Sequence, residues 1–237
     1  MKISNDYLDD LLVRMAHHST AIEGNTLTQG ETKSILIDGY IPRAMNLREL
    51  NEVINYKGFM QFIRDNLEDL PPLSLELIKK IHFLLCQNAI DGVAGTFKTI
   101  PNMIIGASFT PTQPYMVITE LQEWILNLEA QLESQEKEGI IEAICRQHIA
   151  FERIHPFSDG NGRVGRALMV YTCLQKDIAP IVVTKEDKAE YISYLNTEDV
   201  NGLTKFSLKL NADEEARINL FSQIYPVKHL TPQPSKL

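Results

Sequence analysis

His155-Pro156-Phe157-Ser158-Asp159-Gly160-Asn161-Gly162-Arg163-Val164-Gly165-Arg166 is the stretch on which the reading of this chain turns. Pro156 biases His155 away from the α region, so an upstream helix ends there. Val164, Ala167, Leu168, Tyr171 and Leu174 then recur at helical spacing, so a second helix begins inside the stretch. Between them lies a polar, glycine-rich loop that feeds a helix N-terminus. The first N–H groups of such a helix lack internal acceptors and sit at the positive end of its dipole, which suits an anion. Gly160 and Gly162 let the backbone approach a ligand and turn its N–H groups inward. Arg163 and Arg166, one turn apart, can offer planar forks to phosphate oxygens.

Two residues extend this from binding to chemistry. Asp159 would repel a bare phosphate, but it makes sense as a Mg²⁺ ligand, since that cation bridges carboxylate and phosphate oxygens. His155 titrates near neutrality and can take the proton of an attacking hydroxyl. Each residue alone is as well explained by a local capping or hydrogen-bonding role. Together, within twelve positions, they describe phosphoryl or nucleotidyl transfer. Gly160-x-Gly162-x-x-Gly165 also matches the dinucleotide fingerprint, but that motif needs a preceding strand, and Ile141, Ile144, Cys145 and His148 give a helical pattern instead. No G-x-x-x-x-G-K-[ST] phosphate loop occurs.

Outward from this stretch, helical periodicity dominates. It predicts helices over residues 7–23, 47–67, 74–88, 117–134, 140–153 and 163–175, with Ser74 capping the third after Pro71-Pro72. Residues 92–116 break the pattern with Gly, Pro, Thr and β-branched residues, and read as a short irregular β-hairpin followed by a loop. The expectation is one mainly α domain with a single β excursion and a frayed tail at 226–237, where Pro232 and Pro234 fall. A net charge of −8 argues against general nucleic-acid binding. No run of 18 apolar residues is present, so no membrane-spanning helix is expected, and the acidic, polar N-terminus does not look like a signal peptide. A cytoplasmic location follows as the expectation. Cys86, Cys145 and Cys173 lie in apolar-periodic stretches without ligand spacing and read as reduced core thiols. His82 and His148, on apolar helical faces, read as core histidines rather than ligands.

The 155–166 stretch resembles the signature of the Fic family, H-x-F-x-[DE]-G-N-G-R-x-x-R, at every defining position, and the surrounding chain resembles that family from about residue 15 to residue 210. The resemblance implies a helical Fic fold and transfer of AMP from ATP to a Ser, Thr or Tyr hydroxyl of a protein. It implies that His155 is the base, that Asp159 holds Mg²⁺, and that Asn161 contacts the α-phosphate. Gly160, Gly162, Arg163, Val164, Gly165 and Arg166 would complete the nucleotide site, with Arg166 on the γ-phosphate. Phe157 would anchor the loop in the core. Tyr191, with Leu195 and Asn196, falls where the family places its base-lining helix, although a core role suits Tyr191 equally. Residues 92–116 resemble the family's flap, whose edge pairs with the target protein, so Phe97, Lys98, Thr99 and Ile100 are candidate docking residues. Lys98 stands where many relatives carry arginine.

A second site emerges from the first helix. Met15, Ser19 and Glu23 share one stripe, and a carboxylate on a buried stripe beside the C-cap Gly24-Asn25 is unfavourable unless a cation compensates it. Ser19-Thr20-Ala21-Ile22-Glu23-Gly24 resembles the family's inhibitory motif [ST]-x-x-x-E-[GN], which implies a Glu23–Arg166 ion pair that excludes the γ-phosphate. The chain thus divides into an inhibitory helix at 1–30, a Fic domain at 31–225 and a tail at 226–237. Self-modification and a homodimer are compatible with this reading. So are AMP removal, transfer of UMP, phosphate or phosphocholine, and a nucleotide-sensing module without catalysis.

Overall fold

The computed structural model describes residues 3–90, 93–104, 109–133 and 136–224. Nine α-helices run through them: α1 (Asn5–Ile22), α2 (Gln29–Lys33), α3 (Leu47–Asn66), α4 (Leu75–Cys86), α5 (Val117–Gln131), α6 (Lys137–Ile154), α7 (Asn161–Gln175), α8 (Lys188–Thr197) and α9 (Val200–Ile224). Capping residues set several starts. Ser4 accepts from the Tyr7 N–H, Asn46 from Arg48, Ser74 from Leu77, and Thr28 with Glu31 forms a capping box. Six of these helices follow the sequence periodicity closely. The expected 226–237 tail lies outside the described residues, and α2 crosses residue 30.

α6 and α7 form the centre. α6 packs on α5, α7 and α9, while α7 also meets α4 and α1. Nearly every residue of α7 is buried, as expected of a helix enclosed on several sides. α1 contributes Tyr7, Leu8, Leu11, Leu12 and Met15 to the same core, so its end is held firmly beside the start of α7. Its hold on α9 is polar: Arg14 donates to both oxygens of Glu214 (Nη1 2.8 Å, Nη2 2.5 Å), and the Tyr7 hydroxyl donates to the same carboxylate at 2.7 Å. Desolvation offsets most of the attraction in such a buried pair, but removing one partner would cost about 3–5 kcal/mol. The arrangement therefore fixes the position of α1, and with it Ser19 and Glu23, more than it adds to net stability. No helix among the described residues is long and apolar enough to cross a membrane.

The expected hairpin is not found: among the described residues no strand forms. Residues 93–104 run as a turn and extended coil, and a 3₁₀ turn at Pro114–Met116 leads into α5. The physical reason is where the backbone groups go. The Lys98 N–H donates to the Pro156 carbonyl at 2.9 Å, the Thr112 N–H donates to the Arg153 carbonyl at 3.3 Å, and Pro101 has no N–H to offer. Among the described residues, these backbone donors go to the 155–166 loop and the end of α6, and the segment's own bond from the Thr96 N–H to the Val93 carbonyl closes a turn, not a ladder.

Candidate active site

α6 ends at His155, which adopts a left-handed conformation (φ 49°, ψ 59°) while its N–H still donates to the Phe151 carbonyl. Gly160, also left-handed (φ 80°), precedes α7, whose first internal bond runs from the Val164 N–H to the Gly160 carbonyl at 3.0 Å. A side chain at Gly160 would be strained by that φ and would run into the Cys86 Sγ. The N–H groups of Asn161, Gly162 and Arg163 precede that first bond and point out of the helix end.

The loop is braced from inside. The Asn161 Nδ2 donates to the Phe157 carbonyl while its Oδ1 accepts the Phe157 N–H, both at 2.8 Å. The Asn161 side chain is thus engaged within the loop, and its backbone N–H is what it presents to an anion. Phe157 is fully buried and stacks on the His82 ring, with centroids 3.8 Å apart. His82 accepts the Gly95 N–H on Nδ1 at 2.7 Å, so its proton sits on Nε2, which donates to the Asp159 carbonyl at 3.1 Å. Burial holds the His82 pKa down to about 4, which keeps this neutral tautomer in place. Read from sequence as a core histidine, His82 is buried and also ties the loop to the segment that precedes it.

His155 faces a cleft of about 360 Å³ lined also by Glu23, Glu152, Gly162, Arg166, Tyr191 and Asn196. Its Nδ1 lies 3.3 Å from the Glu152 carbonyl. A carbonyl only accepts, so Nδ1 carries the proton and Nε2 keeps its lone pair for a substrate. Burial first, and then the nearby Lys98 ammonium, lowers the His155 pKa to about 4, so the ring is a neutral base across the physiological range.

Arg166 is buried, and its Nε and Nη2 are engaged. Its Nε donates to the Ser19 Oγ at 2.9 Å, and its Nη2 to the Ser19 carbonyl at 2.9 Å and to the Glu23 Oε1 at 2.6 Å. Burial works against a charged guanidinium here, yet Glu23 and the surrounding hydroxyls hold its pKa above the usual value. The sequence-predicted pair is therefore formed. Glu23, the C-cap of α1, is followed by Gly24 at φ 105°, which lets the chain turn away. Its Oε1 also lies against the Cα of Gly162, so the carboxylate sits at the N-terminus of α7, where an anion would bind.

Arg163 points the other way, into the interior between Glu52 (3.7 Å) and Asp159 (3.6 Å), and its Nε and Nη1 find no hydrogen-bond partner among the described residues. Glu52 accepts from Asn25 at 3.0 Å and from Arg48 at 3.3 Å, and Arg48 in turn donates to the Asp159 Oδ2 at 2.9 Å. Neither Glu52 nor Arg48 was expected from sequence. The signal was available: Glu52 shares a stripe with the buried Tyr56, Phe59 and Ile63, the same anomaly that singled out Glu23.

Asp159 is partly exposed and is the single carboxylate of the loop. Among the described residues no group of three or more His, Cys, Asp or Glu could hold a metal. This donor set fits Mg²⁺, which retains waters and takes its remaining ligands from nucleotide phosphates, rather than a metal held by protein alone. Tyr191 is fully buried; its hydroxyl meets the His148 Nε2 at 2.6 Å, so it forms the cleft wall from within the core. Val164 and Gly165 lie in the buried part of α7; a side chain at Gly165 would meet Glu152 and His148. In the 93–104 segment Thr99 and Ile100 are exposed, whereas Phe97 packs on Phe157 and Lys98 is 3% exposed. Lys98 therefore turns inward and does not meet a partner's surface.

Residues 72–173 match the family described as "Fic/DOC family". The chain is 30% identical over 209 residues to "Protein adenylyltransferase fic-1" of Caenorhabditis elegans, covering 86% of this chain and 40% of that protein. It is 24% identical over 220 residues to "Protein adenylyltransferase Fic" of Nematostella vectensis, covering 90% of this chain and 50% of that one. The chain thus spans half or less of the length of these relatives. Among solved structures, Fic-1 (residues 134–508) from C. elegans superposes with a TM-score of 0.74 at 28% identity, covering 93% of this chain and 66% of that one. A Fic-domain signalling protein from Bacteroides thetaiotaomicron gives a TM-score of 0.78 at 24% identity, covering 92% and 91%, and shares the fold. The helical scaffold, the braced loop at its centre and these matches lead to one conclusion: the chain carries a domain of the Fic/DOC family.

Proposed function

We propose that this chain is a protein adenylyltransferase that moves AMP from ATP to a protein hydroxyl and is restrained by its own Glu23. The observation that carries the reading is the shared cleft: the free Nε2 of His155, the N-terminus of α7 at Gly162 and the Arg166 guanidinium all meet there. The triphosphate would lie along the Asn161–Arg163 amides with its γ-phosphate on Arg166, the Gly160 N–H being held by the Asp159 Oδ1. Asp159 would hold Mg²⁺, which when bound neutralises phosphate charge. His155 takes the hydroxyl proton on Nε2 as the oxygen bonds to the α-phosphorus, and the bond to the β-phosphate oxygen breaks to release pyrophosphate. Relatives named as adenylyltransferases support this choice of donor and reaction. Thr99 and Ile100 are among the exposed residues of the 93–104 segment, on which a target segment would dock. The three buried free thiols suit a reducing, cytoplasmic setting.

Glu23 acts as the brake in this reading because its carboxylate sits where the γ-phosphate needs Arg166 and presses on Gly162. The same placement, beside His155, favours AMP removal as a second reading, with Glu23 aligning a water.

A pyrophosphate-release assay tests the proposal. With Mg²⁺ and ATP, Glu23→Gly is expected to release pyrophosphate, and Glu23→Gly/His155→Ala is expected not to. Release of inorganic phosphate without pyrophosphate would contradict AMP transfer.

A further inference from the structure

We propose that Lys98 and Asn102 are positioning residues that clamp the backbone around His155, so that the segment beside the target surface and the base move as one unit. This rests on the transferase reading above. It concerns a contact set that the motif itself does not contain.

Three carbonyls within four consecutive residues are taken by this one segment. The Lys98 Nζ donates to the Ile154 carbonyl at 3.3 Å, the Lys98 N–H to Pro156 at 2.9 Å, and the Asn102 Nδ2 to Phe157 at 2.9 Å. Lys98 and Asn102 are themselves joined, Nζ to Oδ1, at 2.8 Å. These acceptors bracket His155 on both sides. They matter because His155 is left-handed, a conformation rare for a side-chain-bearing residue that persists only where its surroundings determine it. The last carbonyls of α6 also have no donor within the helix. Lys98 supplies one, and its burial keeps its ammonium from a docked target protein.

The immediate neighbours Thr99 and Ile100 are exposed on the other side of the same segment. A displacement of that segment by a docked target would therefore be passed to Ile154, Pro156 and Phe157 through the clamp. Arginine at position 98 could make the same donations, whereas methionine could fill the space but donate nothing. The charges facing the His155 ring are Lys98 from this segment, Glu23 from α1 and Asp159 from its own loop, with the Glu152 carbonyl of α6 on Nδ1.

The test compares Lys98→Met, Lys98→Arg and Asn102→Ala by two readouts. In the first, the His155 imidazole is titrated by NMR without nucleotide. Lys98→Met is expected to raise its midpoint by about half a pH unit or more, since a nearby positive charge is removed, and Lys98→Arg to restore it. In the second, each variant is placed in Glu23→Gly and self-modification is timed. Lys98→Met and Asn102→Ala are expected to lower kcat at least about tenfold with the KM for ATP within about twofold, and Lys98→Arg to keep most activity. An unchanged midpoint and kcat in Lys98→Met, or failure of Lys98→Arg to restore either, would overturn the proposal. Should Lys98→Met not fold, Asn102→Ala decides by kcat against KM. Should Glu23→Gly itself transfer nothing, the transferase reading falls, and the His155 imidazole shifts in Asn102→Ala, which removes no charge, decide the clamp, unchanged shifts overturning it.

Discussion

Replacing Glu23 by glycine removes the carboxylate from Arg166 while leaving both contacts of that guanidinium to Ser19. The ion pair is short, 2.6 Å, and its arginine side is buried, but the Glu23 side chain is 41% exposed. A charge-assisted bond to a buried partner is worth about 1.5–3 kcal/mol, and solvent screening at the exposed carboxylate lowers that to roughly 1–2 kcal/mol. ATP must displace this contact to bring its γ-phosphate to Arg166, so removing it is expected to tighten ATP binding roughly 5- to 30-fold. Calorimetric titration of wild type and Glu23→Gly with Mg²⁺ and a non-hydrolysable ATP analogue reads this directly. Glu23→Gln should fall between the two, because it keeps the shape but loses the charge. Equal affinities in all three proteins would refute the brake, since the carboxylate would then not compete with the triphosphate.

Other perturbations test neighbouring parts of the account. Phe157→Ala opens a cavity beneath the loop beside His82, and is expected to cost about 3–5 kcal/mol in urea unfolding; a loss below 1 kcal/mol would mean that the loop is not anchored there. Gly162→Ala adds a methyl at the α7 N-terminus within 3.0 Å of the Arg166 Nη1, so in the Glu23→Gly background it should weaken ATP binding by calorimetry, and unchanged affinity would place the triphosphate elsewhere. Stability should fall with acid. Burial holds His17, His18, His82, His148 and His155 below the ordinary imidazole value, three of them at about 4 and His148 at about 3. The unfolded chain takes up those protons below about pH 6.5 while the folded chain resists, so stability is lost as pH drops from about 6.5 towards 4. Glu152, pushed up to about 7 by burial, acts in the opposite direction, but it is one group against five. A urea midpoint that stays flat across that window would contradict the buried, neutral histidines.

Much of this was legible in the residues themselves. α4 and α7 carry apolar positions at helical spacing, and Ser74 caps where a Ser after two prolines should. The loop was legible because Pro156 disfavours continuation of α6 and Gly160 supplies the left-handed turn that leads into α7. Glu23 could be singled out because a carboxylate on a buried stripe demands a partner, and that partner is Arg166. What escaped was encoded between distant segments. The hairpin was inferred from local composition, but the N–H groups of Lys98 and Thr112 find their acceptors at Pro156 and Arg153. α9 buries Thr204, Ser207, Asn211 and Glu214 among Leu203, Phe206 and Ile218, so polar residues interrupt its buried face and periodicity gave no account of it. His82 and Arg48 act through a carbonyl and a carboxylate of Asp159 that lie far along the chain, a relation no local pattern carries.

The central claim is that a neutral His155 and a cradle freed of Glu23 together transfer AMP. Intact-protein mass spectrometry after incubation with Mg²⁺ and ATP tests it most directly, using wild type, Glu23→Gly and Glu23→Gly/His155→Ala. Glu23→Gly is expected to gain the mass of one or more AMP groups, wild type little and the double variant none. An adduct of equal extent in the double variant, or a gain of phosphate in place of AMP, would contradict it.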